Sequence, residues 1–173
     1  MSASPVITTD RLRLRAPVRT DWPAYAAFMQ TPQARFFAGH GKPGLAWRSF
    51  GMVIWHWIDL SFGPFAVTTQ DDDTCIGLIG PKRPVGWPEG ELTWIAFGTA
   101  EGKGIAAEAA RAALDYAACT LNWATAVSYI EPENTRSVAL AERLGARLDP
   151  DATAPGPGLQ VYRHPLPNVG VPA

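Results

Sequence analysis

Two cysteines among 173 residues, Cys75 and Cys119, are too few for a disulfide framework. Neither has a neighbouring Cys or His at ligand spacing. His40, His56 and His164 are scattered, so no metal centre is expected. No apolar run reaches about 18 residues, which leaves nothing to span a bilayer. The richest stretch, Phe50 to Phe65, is interrupted by His56 and Asp59. The amino terminus lacks a basic region followed by an apolar one, so it does not read as a signal peptide. A net charge of −1 excludes a nucleic-acid or membrane-surface binder held by bulk charge. Together these absences place the chain in the cytoplasm by default.

What is present is enough for a packed domain. Hydrophobic residues make up 47% of the chain, and a domain of this length buries roughly 70% of its unfolded surface. The sequence reads as a single domain over 1–173, with 164–173 an extended, proline-rich tail. Ser4 to Thr9 reads as a lead-in. Leu12 and Leu14 alternate with Arg11, Arg13 and Arg15, the period of a half-buried strand. Thr20 or Asp21 is placed to cap a helix with Pro23 in its first turn. Gly39 to Gly44 reads as a loop. Trp47, Phe50, Ile54, Trp57 and Ile58 recur at spacings of three and four, which predicts a helix over Ala46 to Leu60. Strands follow over Phe65 to Thr69 and Cys75 to Gly80, around the turn Asp71 to Asp73, and over Glu91 to Phe97.

The second half differs in texture. Ile105 to Leu121 is rich in alanine and free of proline and glycine, the strongest helix signal in the chain. Ala126 to Ile130 is a short strand, and Asn134 to Leu144 a helix ending at Gly145. Residues 150–158 are a loop, and Leu159 to Arg163 a last strand. The order specifies an α/β fold with a mixed sheet.

A strand followed by Gly102-Lys103-Gly104 and a long helix is a physical recipe for an anion site. The first amides of a helix lack internal partners, the helix dipole adds positive potential there, and glycine lets a phosphate come close. The pattern for nucleoside triphosphates, GxxxxGK followed by Ser or Thr, is absent. The dinucleotide fingerprint GxGxxG/A does match Gly102, Gly104 and Ala107, with Glu131 closing the next strand. However, about forty residues after Glu131 cannot supply the strand–helix units that such a domain needs. A plain connecting loop is the other reading of the glycines.

Two motifs in sequence resolve the choice. The run Glu91-Leu92-Thr93-Trp94, then Gly102-Lys103-Gly104-Ile105-Ala106-Ala107, then Pro132-Glu133-Asn134-Thr135-Arg136-Ser137 with Glu142-Arg143-Leu144-Gly145, resembles the GNAT acetyltransferases. More narrowly, it is similar to their RimJ/RimL-like branch. The similarity covers roughly Thr9 to Arg163.

The resemblance implies a central twisted mixed sheet, splayed at the cofactor site and flanked by helices. It implies transfer of acetyl from acetyl-CoA to a primary amine, a protein N-terminal α-amine or a small molecule, by direct attack in a ternary complex. The residues from Gly102 to Ala107 (Gly102, Lys103, Gly104, Ile105, Ala106 and Ala107) would hold the coenzyme pyrophosphate. Backbone groups of Ile95, Ala96 and Phe97 would bind pantetheine and the acetyl oxygen. Asn134 would contact the coenzyme. Arg111 and Arg136 are both candidates to reach its adenosine phosphate, Arg136 the better placed because it adjoins the Asn134 motif. Glu91 is the candidate base, with Glu89 a substitute, and Ser137 serves the leaving thiolate. The position seven residues after Asn134, a tyrosine in many such enzymes, is Ala141 here. Glu101 also departs from the usual Gln, Arg or Trp.

Each residue has a plainer reading beside the functional one. Asn134 also reads as an ordinary helix N-cap, Glu91 as a solvated strand end, and Arg136 as a helix surface charge. Trp47, Trp55 and Trp87 are candidates for the wall of the amine pocket. A non-catalytic acyl-CoA sensor on the same fold is the alternative function. The number of tryptophans makes a homodimer a reasonable partner state.

Overall fold

The computed structural model describes residues 4–167; the end of the proline-rich tail, 168–173, lies outside them. Eight strands form one sheet: β1 (Ile7–Thr8), β2 (Leu12–Arg15), β3 (Phe65–Thr69), β4 (Gly77–Lys82), β5 (Glu91–Ala96), β6 (Ala126–Ile130), β7 (Arg147–Leu148) and β8 (Gln160–His164). Their order is β1-β2-β3-β4-β5-β6-β8-β7. The pairs from β1 to β5 are antiparallel, β5 runs parallel to β6, and β6–β8 and β8–β7 are again antiparallel. Among the described residues there are four α-helices, α1 (Trp22–Phe28), α2 (Pro43–Leu60), α3 (Ile105–Cys119) and α4 (Thr135–Arg143), besides short 3₁₀ turns.

Alternation along the strands feeds two cores, one on each face of the sheet. Leu14, Phe65, Val67, Ile79 and Leu92 pack with the alanines of α3 and with α4. Ala66, Leu78 and Phe97 pack with Tyr25 and Phe28 of α1 and Ala46 and Phe50 of α2. Small side chains at Ala109, Ala110 and Ala113, all fully buried, let α3 lie close against the strands. That closeness fixes where the amino end of α3 points.

The predicted elements are present, with shifted ends that have physical causes. α2 begins at Pro43 rather than Ala46, because proline suits the first helical turn, where no amide is needed. β4 starts two residues late and runs through Pro81. Its odd-numbered residues face β3, which pairs only as far as Ile79, so no ladder bond is lost at Pro81. The segment read as a lead-in supplies β1, and β7 was not foreseen.

Asp21 does not cap α1. Its carboxylate accepts the Val18 amide (2.8 Å) and takes both Nη atoms of Arg15 (2.8 Å each). Arg15 also donates to Asp73 of the β3–β4 turn, at 2.8 Å from Nε. These contacts hold the guanidinium well above its usual pKa. Gly145 ends α4 with φ of 86°, in the left-handed conformation expected of it.

Candidate active site

The parallel pairing of β5 with β6 is a single step, Glu91 opposite Val127. Beyond it the strands part. The Ser128 hydroxyl donates to the Leu92 carbonyl (2.6 Å), a side chain standing where a ladder amide would otherwise come. Because that hydroxyl proton is committed, His164 Nε2, 2.9 Å away, must carry its own proton and donate to Ser128 Oγ. Nδ1 is then a buried lone pair without a partner, and burial pushes the His164 pKa down to about 4. A neutral imidazole thus braces the mouth of the split.

Backbone direction alternates along β5. Gly90 offers its carbonyl to the Val127 amide and Leu92 to Ser128, so even-numbered residues face the split. The register with β4 is unbroken from Glu91 to Ala96. The open edge therefore carries the N–H and C=O groups of Trp94 and Ala96. Ile95 and Phe97 turn theirs to β4, and the Phe97 amide is bound to the Ile76 carbonyl at 2.9 Å. Of the three residues that the sequence offered as backbone donors, Ala96 keeps that geometry, joined by Trp94.

Two clefts open from the split. The larger, about 520 Å³, runs from Trp94, Ile95 and Ala96 to Gly102, Gly104, Ala106 and Ala107, with Asn134 and Arg136 on the opposite wall. The smaller, about 340 Å³, holds Lys82, Trp87, Glu91 and Tyr129. Both are lined by Phe36, Phe37, Trp94, Asn134 and Ser137, which therefore mark their junction.

At the far end of the larger cleft, α3 begins without a side-chain cap. Gly102 and Gly104 have φ of 71° and 75°, conformations that side chains disfavour. No atom lies within 4 Å of where a Cβ on Gly102 would stand, so a ligand can approach the backbone there. The loop is tethered from the β1–β2 turn. Arg11 donates to the Lys103 carbonyl (3.0 Å) and pairs with Glu108 (2.6 Å), which also accepts from Thr9 (2.6 Å). An uncapped helix terminus held open in this way fits a diphosphate.

Glu101 is turned aside: its carboxylate pairs with Arg136 at 3.0 Å, across the cleft mouth. The acid thus points at a cation and not at the loop amides. Lys103 is exposed, Ile105 is buried, and neither they nor Phe97 line the cleft.

The Asn134 side chain accepts the Ser137 amide at 3.3 Å, an N-cap contact that presents both residues to the junction. Trp94 Nε1–H donates to Ser137 Oγ at 3.2 Å. Ser137 thereby keeps its own hydroxyl proton free. In the smaller cleft Glu91 is 6% exposed. One of its oxygens accepts from Trp87 Nε1 (2.6 Å) and the other faces Lys82 Nζ (3.3 Å). Burial raises its pKa, opposed by Lys82 and by the Trp87 donor. Glu89 is engaged elsewhere: Arg163 grips both its oxygens (2.7 and 2.9 Å), which holds its carboxyl below the usual range.

The structure brings Trp87 to Glu91 but leaves Trp47 and Trp55 away from both clefts, about half exposed on α2. Phe36, Phe37, Lys82 and Ser128 line the site without having been singled out, and so do Trp94 and Tyr129, which from sequence read as aromatics packed in the sheet. Phe36 ends a 3₁₀ turn over Pro32–Phe36 that has no apolar period to reveal it. Among the described residues no group of three or more His, Cys, Asp or Glu could hold a metal ion, and no helix is long and apolar enough to cross a membrane.

Comparison with known proteins agrees with this geometry. A family model described as an acetyltransferase (GNAT) domain matches residues 11–147. An acetyltransferase from Agrobacterium tumefaciens str. C58 is 38% identical, with a TM-score of 0.85, over 95% of this chain and 96% of that one. A GnaT-family acetyltransferase from Bordetella pertussis is 26% identical, with a TM-score of 0.72, over 92% of this chain and 97% of that one. The uncharacterized N-acetyltransferase YnaD of Bacillus subtilis (strain 168) is 31% identical over 85 residues, 49% of this chain. The chain thus spans about half the length of this curated relative, 50% of it.

Proposed function

The chain belongs to the GNAT acetyltransferase family, and from that premise we propose that it is an acetyl-CoA-dependent N-acetyltransferase of the RimJ/RimL-like branch. The observation that carries the reading is the meeting of two clefts at the β5–β6 split, with Trp94, Asn134 and Ser137 lining both. Two reactants entering from opposite sides would meet there without an enzyme-bound intermediate. Acetyl-CoA supplies the thioester: the acceptor nitrogen bonds to its carbonyl carbon, the C–S bond breaks, and the thiolate takes a proton.

The chain's own residues fit those needs. The amides at the start of α3 bind the diphosphate. The open-edge amides of Trp94 and Ala96 stabilise charge on the acyl oxygen. Ser137, oriented by Trp94, gives a proton to the sulfur. Glu91 removes the acceptor proton through a water, and its raised pKa makes it a better base than an exposed carboxylate. Ala141 is fully buried, so the tyrosine route used elsewhere in the family has no counterpart on α4. The Asn134–Ser137 pair without that tyrosine supports the RimJ/RimL-like assignment.

The smaller cleft also speaks to the acceptor. Its rings are Phe36, Phe37, Trp87, Trp94 and Tyr129, and its carboxylates are Glu91, already paired with Lys82, and Glu131. Such a cleft suits an amine of single charge on an apolar body, either a small molecule or a chain N-terminus, better than a polyamine. An α-amine of pKa about 8 costs roughly 1.4 kcal/mol to deprotonate at pH 7, against roughly 4.6 for a lysine, so one buried base is sufficient help.

Calorimetric titration with acetyl-CoA, using NADH as control, tests the coenzyme half. Binding of acetyl-CoA alone, lost in Gly104→Val, is expected. Absence of binding in the parent chain would remove both the loop assignment and the roles of Glu91 and Ser137. Release of CoA across an amine panel then tests turnover, and fastest release with a polyamine would reject the acceptor reading.

A further inference from the structure

We propose that the chain pairs with a second copy of itself through α2, the two helices lying antiparallel about a two-fold axis between Val53 and Ile54. This surface is separate from the clefts and does not rest on the acetyl-transfer reading. α2 buries Ala46, Phe50, His56 and Trp57 and turns Leu45, Met52, Trp55 and Ile58 outward, at 42, 56, 54 and 67% exposure. Trp47 adds a half-exposed indole, set perpendicular to that of Trp22 with ring centroids 4.9 Å apart. Side chains of this size leave on the order of 500 Å² of apolar surface, the upper part of what a monomer shows. Doubled by symmetry, it reaches the roughly 1,000 Å² at which specific interfaces begin.

Charge and spacing identify the occupant as this same chain. Leu45, Arg48, Met52, Trp55 and Asp59 follow one another at three and four residues, so they form one stripe along the helix. Arg48 and Asp59 flank its Met52–Trp55 middle, both exposed and neither in an ion pair among the described residues. The two-fold axis sets Arg48 opposite Asp59 of the second copy and, by the same register, Met52 opposite its Trp55. The Arg48–Asp59 pair therefore forms twice, and the apolar middle meets itself, as an isologous interface requires. Gly51 lies on the same face with nothing within 4 Å of its Cβ position, which leaves a hollow beside Met52 and Trp55 for an opposing indole. A basic or acidic partner would leave one end charge matched and the other opposed.

Sedimentation velocity across a concentration series decides the matter. The parent chain is expected to sediment as a dimer at micromolar concentration, and Trp55→Glu as a monomer that keeps the parent melting temperature. Arg48→Asp should weaken dimerisation about tenfold by setting like charges against each other. The double variant Arg48→Asp with Asp59→Arg should regain most of the loss. A parent chain monomeric to about 100 µM, a dimer indifferent to Trp55→Glu, or a double variant no stronger than Arg48→Asp would each overturn the proposal.

Discussion

Replacing Glu91 by glutamine tests the chemistry at the split with little change of shape. The glutamine carbonyl can still accept the Trp87 Nε1–H that now reaches Glu91 at 2.6 Å. Lys82, 28% exposed at its side chain, can turn to water when its 3.3 Å partner loses its charge. The substitution also removes a carboxylate held in a site that raises its pKa, so the fold should be no less stable. A positioned base contributes about 10²–10⁴ in rate. Solvation around the Glu91 carboxylate is poor and the route runs through a water, so the lower end applies. Turnover should fall about 100-fold, equivalent to roughly 2.7 kcal/mol, with KM for the amine and affinity for acetyl-CoA little altered. The parent rate should rise with pH as Glu91 loses its proton, above the usual carboxylate range because burial favours the neutral acid. The variant should lose that limb and follow only the deprotonation of the acceptor. Its deficit should shrink for acceptors of low pKa, which arrive neutral without help. Steady-state rates from pH 5 to 9 with two amines of different pKa supply the assay. Parent and variant curves that superimpose would refute a proton-accepting role for Glu91.

Two further outcomes follow from the geometry. Ser137→Ala should lower turnover about 10–100-fold while leaving acetyl-CoA affinity within about threefold, because its hydroxyl is assigned to the leaving group; unchanged turnover in stopped assays would remove that role. Asp21→Ala should strip the buried Arg15 of its bidentate partner while Asp73 remains. The cost is about 3 kcal/mol, or a melting midpoint lower by roughly 6–12 °C, and an unshifted calorimetric transition would show that Arg15 is solvated instead.

The parts of the site that were legible in the sequence depend on local rules. Gly102 and Gly104 announce themselves because left-handed backbone ahead of an alanine-rich helix is a local requirement, met at φ of 71° and 75°. Asn134 and Ser137 lie three residues apart, and a helix start alone brings them together. Glu91 and Trp87 belong to one turn and strand. What escaped the sequence is what depends on tertiary register. Trp94 reads as one more sheet aromatic until the β5 alternation turns its backbone to the split and its indole to Ser137. Lys82 follows a proline that reads in the sequence as the end of the strand, yet β3 stops short and β4 carries the lysine on to Glu91. Trp47 and Trp55 share the composition of an acceptor wall, and only the packing of α2 shows that they face away from it.

Glu101 shows how such register effects bear on function. Beside a diphosphate loop an acid is unfavourable, and from sequence it weakens the case for the coenzyme. In the fold it is offset by Arg136, which reaches it at 3.0 Å from the first turn of α4. Both side chains line the larger cleft, so the pair ties the α3 loop to α4 across the path proposed for the coenzyme. Arg136 has 65% of its side chain exposed, which limits the worth of the pair to the small energies of surface bridges. A diphosphate entering the cleft can therefore draw Arg136 away at little cost, leaving Glu101 free to turn to solvent. The departure at position 101 and the basic residue at 136 are thus better understood as one interaction than as two separate deviations, and neither removes the positive potential at the start of α3.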